Sequence, residues 1–229
     1  MVVQVPHMWT VDDTMGKTIQ EWLKSRVSLT TPVDFKPPVV LLVSVGVPST
    51  TIPPQYAIRV LTYTYPKFEK IMSKVIRSSG NLLYPGDLEF FGYGKILCRI
   101  LSEIDKVELI IVNRPGLDHP RHFGVASHIG ILTDIPTIGI SNIAYGDILG
   151  DDIVVSIEEY VPSLESLVAS EELGISIPPQ KSYGGILGSI VSGIAVSIGH
   201  KISKEDAVSC ITHALRKKNV IKETLEYAG

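Results

Sequence analysis

The stretch NRPGLDHPRHFGVASHIGILTDIPTIGISN, residues 113–142, decides how the rest of the chain is read. An apolar run, Val107 to Val112, enters it and has the length and composition of a buried strand. Asp118 then stands where a helix N-cap belongs, and Pro120 falls in the first turn, where a missing N–H costs nothing. Val125, Ile129 and Leu132 recur at helical spacing, and Ile135-Pro136 ends the helix before a second apolar strand, Thr137 to Ile140. Strand, glycine turn, helix and strand make an α/β unit whose loop opens at the carboxyl end of a strand. That is where α/β sheets keep their sites.

Composition narrows the class. A chain of 229 residues can bury a sizeable core as one domain, residues 1–229, with an acidic surface elaboration at about 143–182. With 45% hydrophobic and 20% charged residues the balance is that of a globular protein. The only cysteines, Cys98 and Cys210, predict no disulfide framework and a reducing, cytoplasmic setting. Gly185 to Gly199, the longest apolar stretch, is too short and too interrupted to cross a bilayer, so no membrane partner is expected. The net charge is −3, and no Lys or Arg lies between Arg121 and Lys181. Cations gather instead at Lys201, Lys204 and Arg216 to Lys222, so a polyanion would meet the C-terminal helices.

Outward from the central unit, Thr10 to Val27 is amphipathic, with Ile19, Trp22 and Leu23 on one face of a helix. Val39 to Val45 reads as a central strand. Tyr56 to Thr64 and Phe68 to Ser78 read as antiparallel strands joined around Tyr65-Pro66. Asp87 to Ile104 opens and continues a helix, and Ser163 to Glu172 predicts a further one in the acidic segment. Gly184 to Ser197 is strand material. Ser203 caps a helix, Lys204 to Leu215, with Asp206 at its third position, and Val220 to Tyr227 forms a last short helix.

The run His119-Pro120-Arg121-His122-Phe123-Gly124-Val125-Ala126-Ser127-His128-Ile129-Gly130, followed by Asp134-Ile135-Pro136-Thr137-Ile138-Gly139, resembles the central signature of the endonuclease V family. Gly199-His200-Lys201-Ile202-Ser203 resembles a second family motif, and Leu83-Tyr84-Pro85-Gly86 the loop that wedges beside a flipped base. The resemblance covers about residues 15–142 and 184–215. It implies an α/β fold, a ribonuclease H-like mixed sheet flanked by helices. It also implies Mg²⁺-dependent cutting near deaminated purines, with inosine-containing DNA or RNA as partner.

The family's metal-binding Asp, Glu and Asp correspond here to Ser44 (Val43 if the register slips by one), Gly92 and Asn113, and its Lys to Asn142. His200 would stand beside the metal. Tyr84, Pro85, Gly86, Gly116, Leu117 and His119 would line the base pocket, largely through backbone groups, with the helix N-terminus at His119 as a phosphate cradle. Three carboxylates are what a hard, octahedral cation needs, so their replacement predicts a homologue that has lost metal-dependent catalysis, needs no Mg²⁺ cofactor and keeps at most nucleic-acid or base binding. Two alternatives are a working nuclease whose metal site is rebuilt from Asp87, Glu89, Asp118 and His200, and a non-catalytic scaffold or homo-oligomerising subunit.

Overall fold

The computed structural model describes residues 7–46, 51–80, 84, 86–104, 106–142, 175–176, 188–191, 194–217 and 220–225. Pro85, Leu83 and nearly all of the acidic segment, with its expected helix, lie outside the described residues.

Apolar alternation sets the frame. Strand β1 (Val39–Val45) is buried along almost its whole length, and its side chains divide between two cores. Leu41, Val43 and Val45 face one layer, while Val40 and Leu42 face the other. β1 pairs antiparallel with β2 (Gln55–Thr64), which pairs antiparallel with β3 (Lys70–Ser79). β4 (Leu109–Val112), four buried aliphatic residues, lies parallel to β1, and β5 (Thr137–Asn142) lies parallel to β4. Short strands β6 (Ile175–Ser176) and β7 (Gly188–Val191) and the longer β8 (Ile194–His200) complete one eight-stranded sheet in the order β3-β2-β1-β4-β5-β8-β7-β6. Three antiparallel strands followed by parallel ones is the opening that a ribonuclease H-like chain requires.

Helices cover both faces. On one lie α2 (Phe90–Ser102), after a 3-10 turn at Gly86–Leu88, and α3 (Val125–Thr133). On the other lie α4 (Lys204–Leu215) and α5 (Val220–Leu225). α1 (Asp13–Lys24) is capped by Asp12, whose carboxylate accepts the Met15 N–H at 2.7 Å, and it buries Leu23 beside α3. Ser203 caps α4 as expected, accepting the Asp206 N–H at 3.1 Å. No helix among the described residues is long and apolar enough to cross a membrane.

One expectation fails at α3. The helix starts at Val125 with Gly124 as its cap, a turn and a half later than Asp118 suggests. Residues 113–124 are a tight loop instead. Gly124 and Ala126 donate N–H bonds back to the carbonyls of Gly116 and Pro115, and His122 takes a left-handed φ of 53°. Asp118 accepts the Gly116 N–H at 2.9 Å, so its side chain shapes this loop rather than a helix end. The expected phosphate cradle at His119 has no helix behind it.

All nine residues of α3 are buried, and one of them is a histidine. His128 sits among Phe90, Phe91 and Phe123, and its Nε2 pairs with the Nε2 of His7 at 2.7 Å. The chain thus begins, among the described residues, by laying its N-terminal segment against the helices that flank the site.

Candidate functional site

A cleft of about 370 Å³ opens above the carboxyl ends of β1 and β4. Gly86, Asp87 and Glu89 form one wall, and Asn113, Arg114, Pro115, His119 and Pro120 form the floor and the other wall. Its charges are already paired. The Arg114 guanidinium holds Glu89 at 2.9 Å and also donates to the carbonyls of Asn113 (2.8 Å) and Val45 (2.9 Å). Arg121 makes a short ion pair with Asp87, donates to the Asp87 carbonyl at 2.7 Å and to Gln20 Oε1 at 2.8 Å. Gln20 in turn donates from its amide to the Asp87 carbonyl at 2.8 Å. Burial would raise the Asp87 carboxyl, but the bond and charge of Arg121 hold it below the usual carboxylate range. Gln20, Asp87 and Arg121 tie α1, the 3-10 turn and the 113–124 loop into one frame. Sequence reading missed Gln20 and Arg114. A polar residue in the middle of an amphipathic helix, Gln20, was the available signal.

His119 lines the cleft but is itself buried. Burial, reinforced by the charge of Arg121, lowers its pKa to about 4, so it is neutral at physiological pH. Its Nδ1 accepts the Arg121 N–H at 3.2 Å, which leaves the proton on Nε2. His119 and Gly86 are the two expected pocket residues that the structure brings into the cleft. Pro85 lies outside the described residues.

The other expected residues are elsewhere, each for a physical reason. Ser44 points to the opposite layer, fully buried, donating to the Thr224 carbonyl of α5 at 2.7 Å. Val43 faces the α2–α3 layer but is apolar. Gly92 is buried in the first turn of α2, where its carbonyl would lie 2.8 Å from a Cβ added to Gly80. Asn113 does reach the cleft, but its amide brackets Val45, accepting the N–H at 2.8 Å and donating to the carbonyl at 3.4 Å.

Tyr84 is turned inward rather than out as a wedge. Its hydroxyl accepts the Val11 N–H at 3.1 Å and donates to the Val11 carbonyl at 3.2 Å. The backbone of Gly116 is taken up by Asp118 Oδ1, Ser197 Oγ (3.0 Å) and the Gly124 N–H. A side chain at Gly116 would collide with the Ile198 carbonyl, so glycine there serves packing against β8. Leu117 donates its N–H to Ile198 and accepts from His122 Nδ1 at 2.8 Å. Neither residue offers a free backbone group to a base.

His200 is the largest displacement. β8 runs antiparallel to β5, and His200 pairs with Thr137, at the start of β5. Asn113 follows Val112, which pairs with Gly139, so the two residues stand about three residues apart along the strands, roughly 10 Å. His200 belongs to the far end of the sheet, where Nδ1 accepts the Ser28 N–H at 3.2 Å and Nε2 lies 3.6 Å from Asp134. Burial lowers its pKa despite Asp134.

The family model described as Endonuclease V matches residues 21–228, and a curated endonuclease V from Rippkaea orientalis is 31% identical over 227 residues, covering 93% of this chain and 86% of that protein. The chain belongs to the endonuclease V family. A relative from Alkalilimnicola ehrlichii is 29% identical over 210 residues, covering 90% of this chain and 85% of its own. Among solved structures, the catalytic domain of human endonuclease V superposes with a TM-score of 0.74 at 22% identity, covering 94% of this chain and 92% of that one. Endonuclease V from Ciona intestinalis, in complex with a 24-mer DNA containing an inosine followed by a ribo-adenosine, gives 0.71 at 18% identity and 88% of each chain. The fold of this endonuclease V homologue is therefore ribonuclease H-like, as expected.

The family implies Mg²⁺, and the donors of this endonuclease V homologue do not fit it. Among the described residues no three His, Cys, Asp or Glu side chains gather as a metal set. Glu89 and Asp87 face the cleft but each is held by an arginine, and a cation arriving there would meet two guanidinium charges. Asp118 is buried away from the cleft lining, and burial raises its carboxyl to about 6 against the bonds from Ser197 and Gly116. The set Asp87, Glu89, Asp118 and His200 does not converge, and His122, with its Nδ1 on the Leu117 carbonyl, adds no ligand beside Asp118 and His119.

Proposed function

We propose that this endonuclease V homologue binds nucleic acid in its cleft without metal-dependent cutting. The observation that carries this reading is the pairing of both cleft carboxylates with arginines, Glu89 with Arg114 and Asp87 with Arg121, while the three family ligand positions carry Ser44, Gly92 and Asn113. A phosphodiester hydrolysis that depends on a divalent cation needs unpaired oxygen ligands converging on one point. The cleft offers instead a neutral, buried His119 on its lining, partly buried cationic planes, and a volume of about 370 Å³, within the range of small-molecule pockets. Such a pocket suits an extruded base with a deaminated, carbonyl-bearing edge.

The Ciona relative seen with inosine-containing DNA supports inosine as the ligand. The scaffold alternative turns on an apolar patch near residues 145–168, which lie outside the described residues.

The test is an inosine-containing fluorescent oligonucleotide, single- and double-stranded, as DNA and RNA, in Mg²⁺, Mn²⁺ or EDTA. The expected result is binding that ignores EDTA, prefers inosine over adenosine and yields no cut product. Metal-dependent product would sink the reading.

A further inference from the structure

A second groove, of about 240 Å³, lies along the seam between the edge strand β3 and helix α2. Its floor is apolar, with Ile76 and Ile96 partly buried against the core. Its rims are cationic. β3 contributes Lys74 and Arg77, and α2 contributes Arg99, with exposed Lys95 one turn nearer the start of the helix. Lys95 and Arg99 are four residues apart, about 6 Å along the axis. Glu103 is the acidic lining residue, 3.8 Å from Lys74 and 3.7 Å from Arg99, and all three side chains are more than half exposed. Long, exposed ion pairs of this kind are worth little and yield readily to another anion. Three lining cations, with Lys95 nearby on the same helix, against one lining carboxylate is a local excess on a protein whose net charge is −3.

The groove is separate from the cleft but near it. Ile76 pairs with Ile58, and Ile58 pairs with Val45, whose carbonyl Arg114 holds at the cleft floor. The groove therefore lies at the cleft end of the sheet, two strands or about 10 Å to the side. Helix α2 joins them, since its N-cap is Glu89 on the cleft wall and its exposed cations follow over the next turns.

We propose that the β3–α2 seam is a second nucleic-acid binding surface, which tracks the sugar-phosphate backbone of a strand whose base sits in the cleft. This rests on the nucleic-acid reading above. Apart from the Ser78 hydroxyl the floor is aliphatic, Ile76, Ile96 and Ile100, so the seam supplies affinity and direction more than sequence preference. Its charge is what a polyanion would release counterions against.

Fluorescence anisotropy tests it with inosine-containing single strands of two lengths, one spanning only the cleft and one long enough to reach the seam, each across a salt series. The variants are the double reversal Arg77→Glu/Arg99→Glu and the single change Glu103→Gln, all at exposed positions, with melting curves to verify folding. The double reversal is expected to weaken the long strand about tenfold or more, to lower its salt slope by about 0.7 for each phosphate no longer neutralised, and to leave the short strand unchanged. Glu103→Gln is expected to tighten the long strand alone.

If wild type binds but neither variant changes affinity or slope, the seam is overturned and the cleft reading stands. If wild type binds neither strand, the nucleic-acid reading falls and the seam with it. A polyglutamate competitor that displaces the long strand as well as an unlabelled oligonucleotide does would mark a surface for acidic proteins, and would also overturn it.

Discussion

Asn113 shows what a single atom decides. Its amide nitrogen donates to the Val45 carbonyl while its oxygen accepts the Val45 N–H, so the residue staples the end of β1 to the loop after β4. Changing Asn113→Asp supplies the carboxylate that the family resemblance implies there but removes that donor, at a cost of about 1 kcal/mol in thermal or urea unfolding. Because Ser44 bonds to α5 and Gly92 has no side chain, the variant is expected to remain inert toward inosine oligonucleotides with Mg²⁺ or Mn²⁺. Appearance of a cut product would mean that Asn113 alone had silenced the site.

Arg121 is the opposite case, a cation whose removal strands its partners. Arg121→Ala leaves Asp87 and Gln20 without their main donor and is expected to cost about 2–3 kcal/mol, read from the urea midpoint, while loosening the Gly86–Asp87 wall. At this scale the sequence tells which residue stands at each expected position, and so which chemistry it can offer. A serine, glycine or asparagine cannot become a carboxylate in any fold. It was illegible where direction matters: Tyr84 and Ser44 look like site residues until one knows that the tyrosine bonds Val11 and the serine faces α5.

Among elements, α3 is buried along its whole length, and Gly130 shows how closely it packs. A Cβ there would lie 2.3 Å from the Cβ of His200 and 2.5 Å from Thr137 Oγ1. Gly130→Ala must push β8 or β5 away from the helix, with an expected loss of roughly 1–3 kcal/mol in the urea midpoint. The strands β1 to β5 and the helices α1, α2 and α4 were readable from apolar spacing and caps, because local preference and tertiary burial agree there. The start of α3 was not. Asp118 and Pro120 are the residues of a helix N-terminus and of an Asx turn alike, and only the bonds from Gly124 and Ala126 back to Gly116 and Pro115 select the turn. His200 was misplaced for a related reason: a motif fixes sequence neighbours, whereas the antiparallel register of β8 fixes which end of the sheet they reach.

For the molecule as a whole, buried histidines set the response to acid. Burial lowers His7 and His119 to about 4, and burial, then the charges of His7 and His119, push His128 well below its ordinary 6.5. Groups lowered in this way favour folding fully above about pH 6.5, and that contribution is lost as pH falls toward 4. Asp118, raised by burial to about 6, acts oppositely, contributing below its ordinary 3.8 and losing that as pH rises through about 6. These histidines, joined by His122 and His200, which burial also lowers, outweigh one raised carboxyl, so the melting temperature is expected to fall between about pH 7.5 and pH 4.5. His128→Leu should flatten that decline even where it lowers the melting temperature at neutral pH. An equally steep fall in the variant would place the acid response elsewhere.

The clasp between the start of the chain and its middle also has a kinetic side. His7 meets His128 across 121 residues, and Val11 meets Tyr84 across 73. Loops that long are slow to close, and the segment has nothing to grip until α2 and α3 stand together. It is therefore expected to dock after the rate-limiting step. His7→Ala should hasten unfolding while leaving the refolding rate nearly unchanged in a denaturant chevron. Residues 7–11 would then be among the last parts of the fold to find their place.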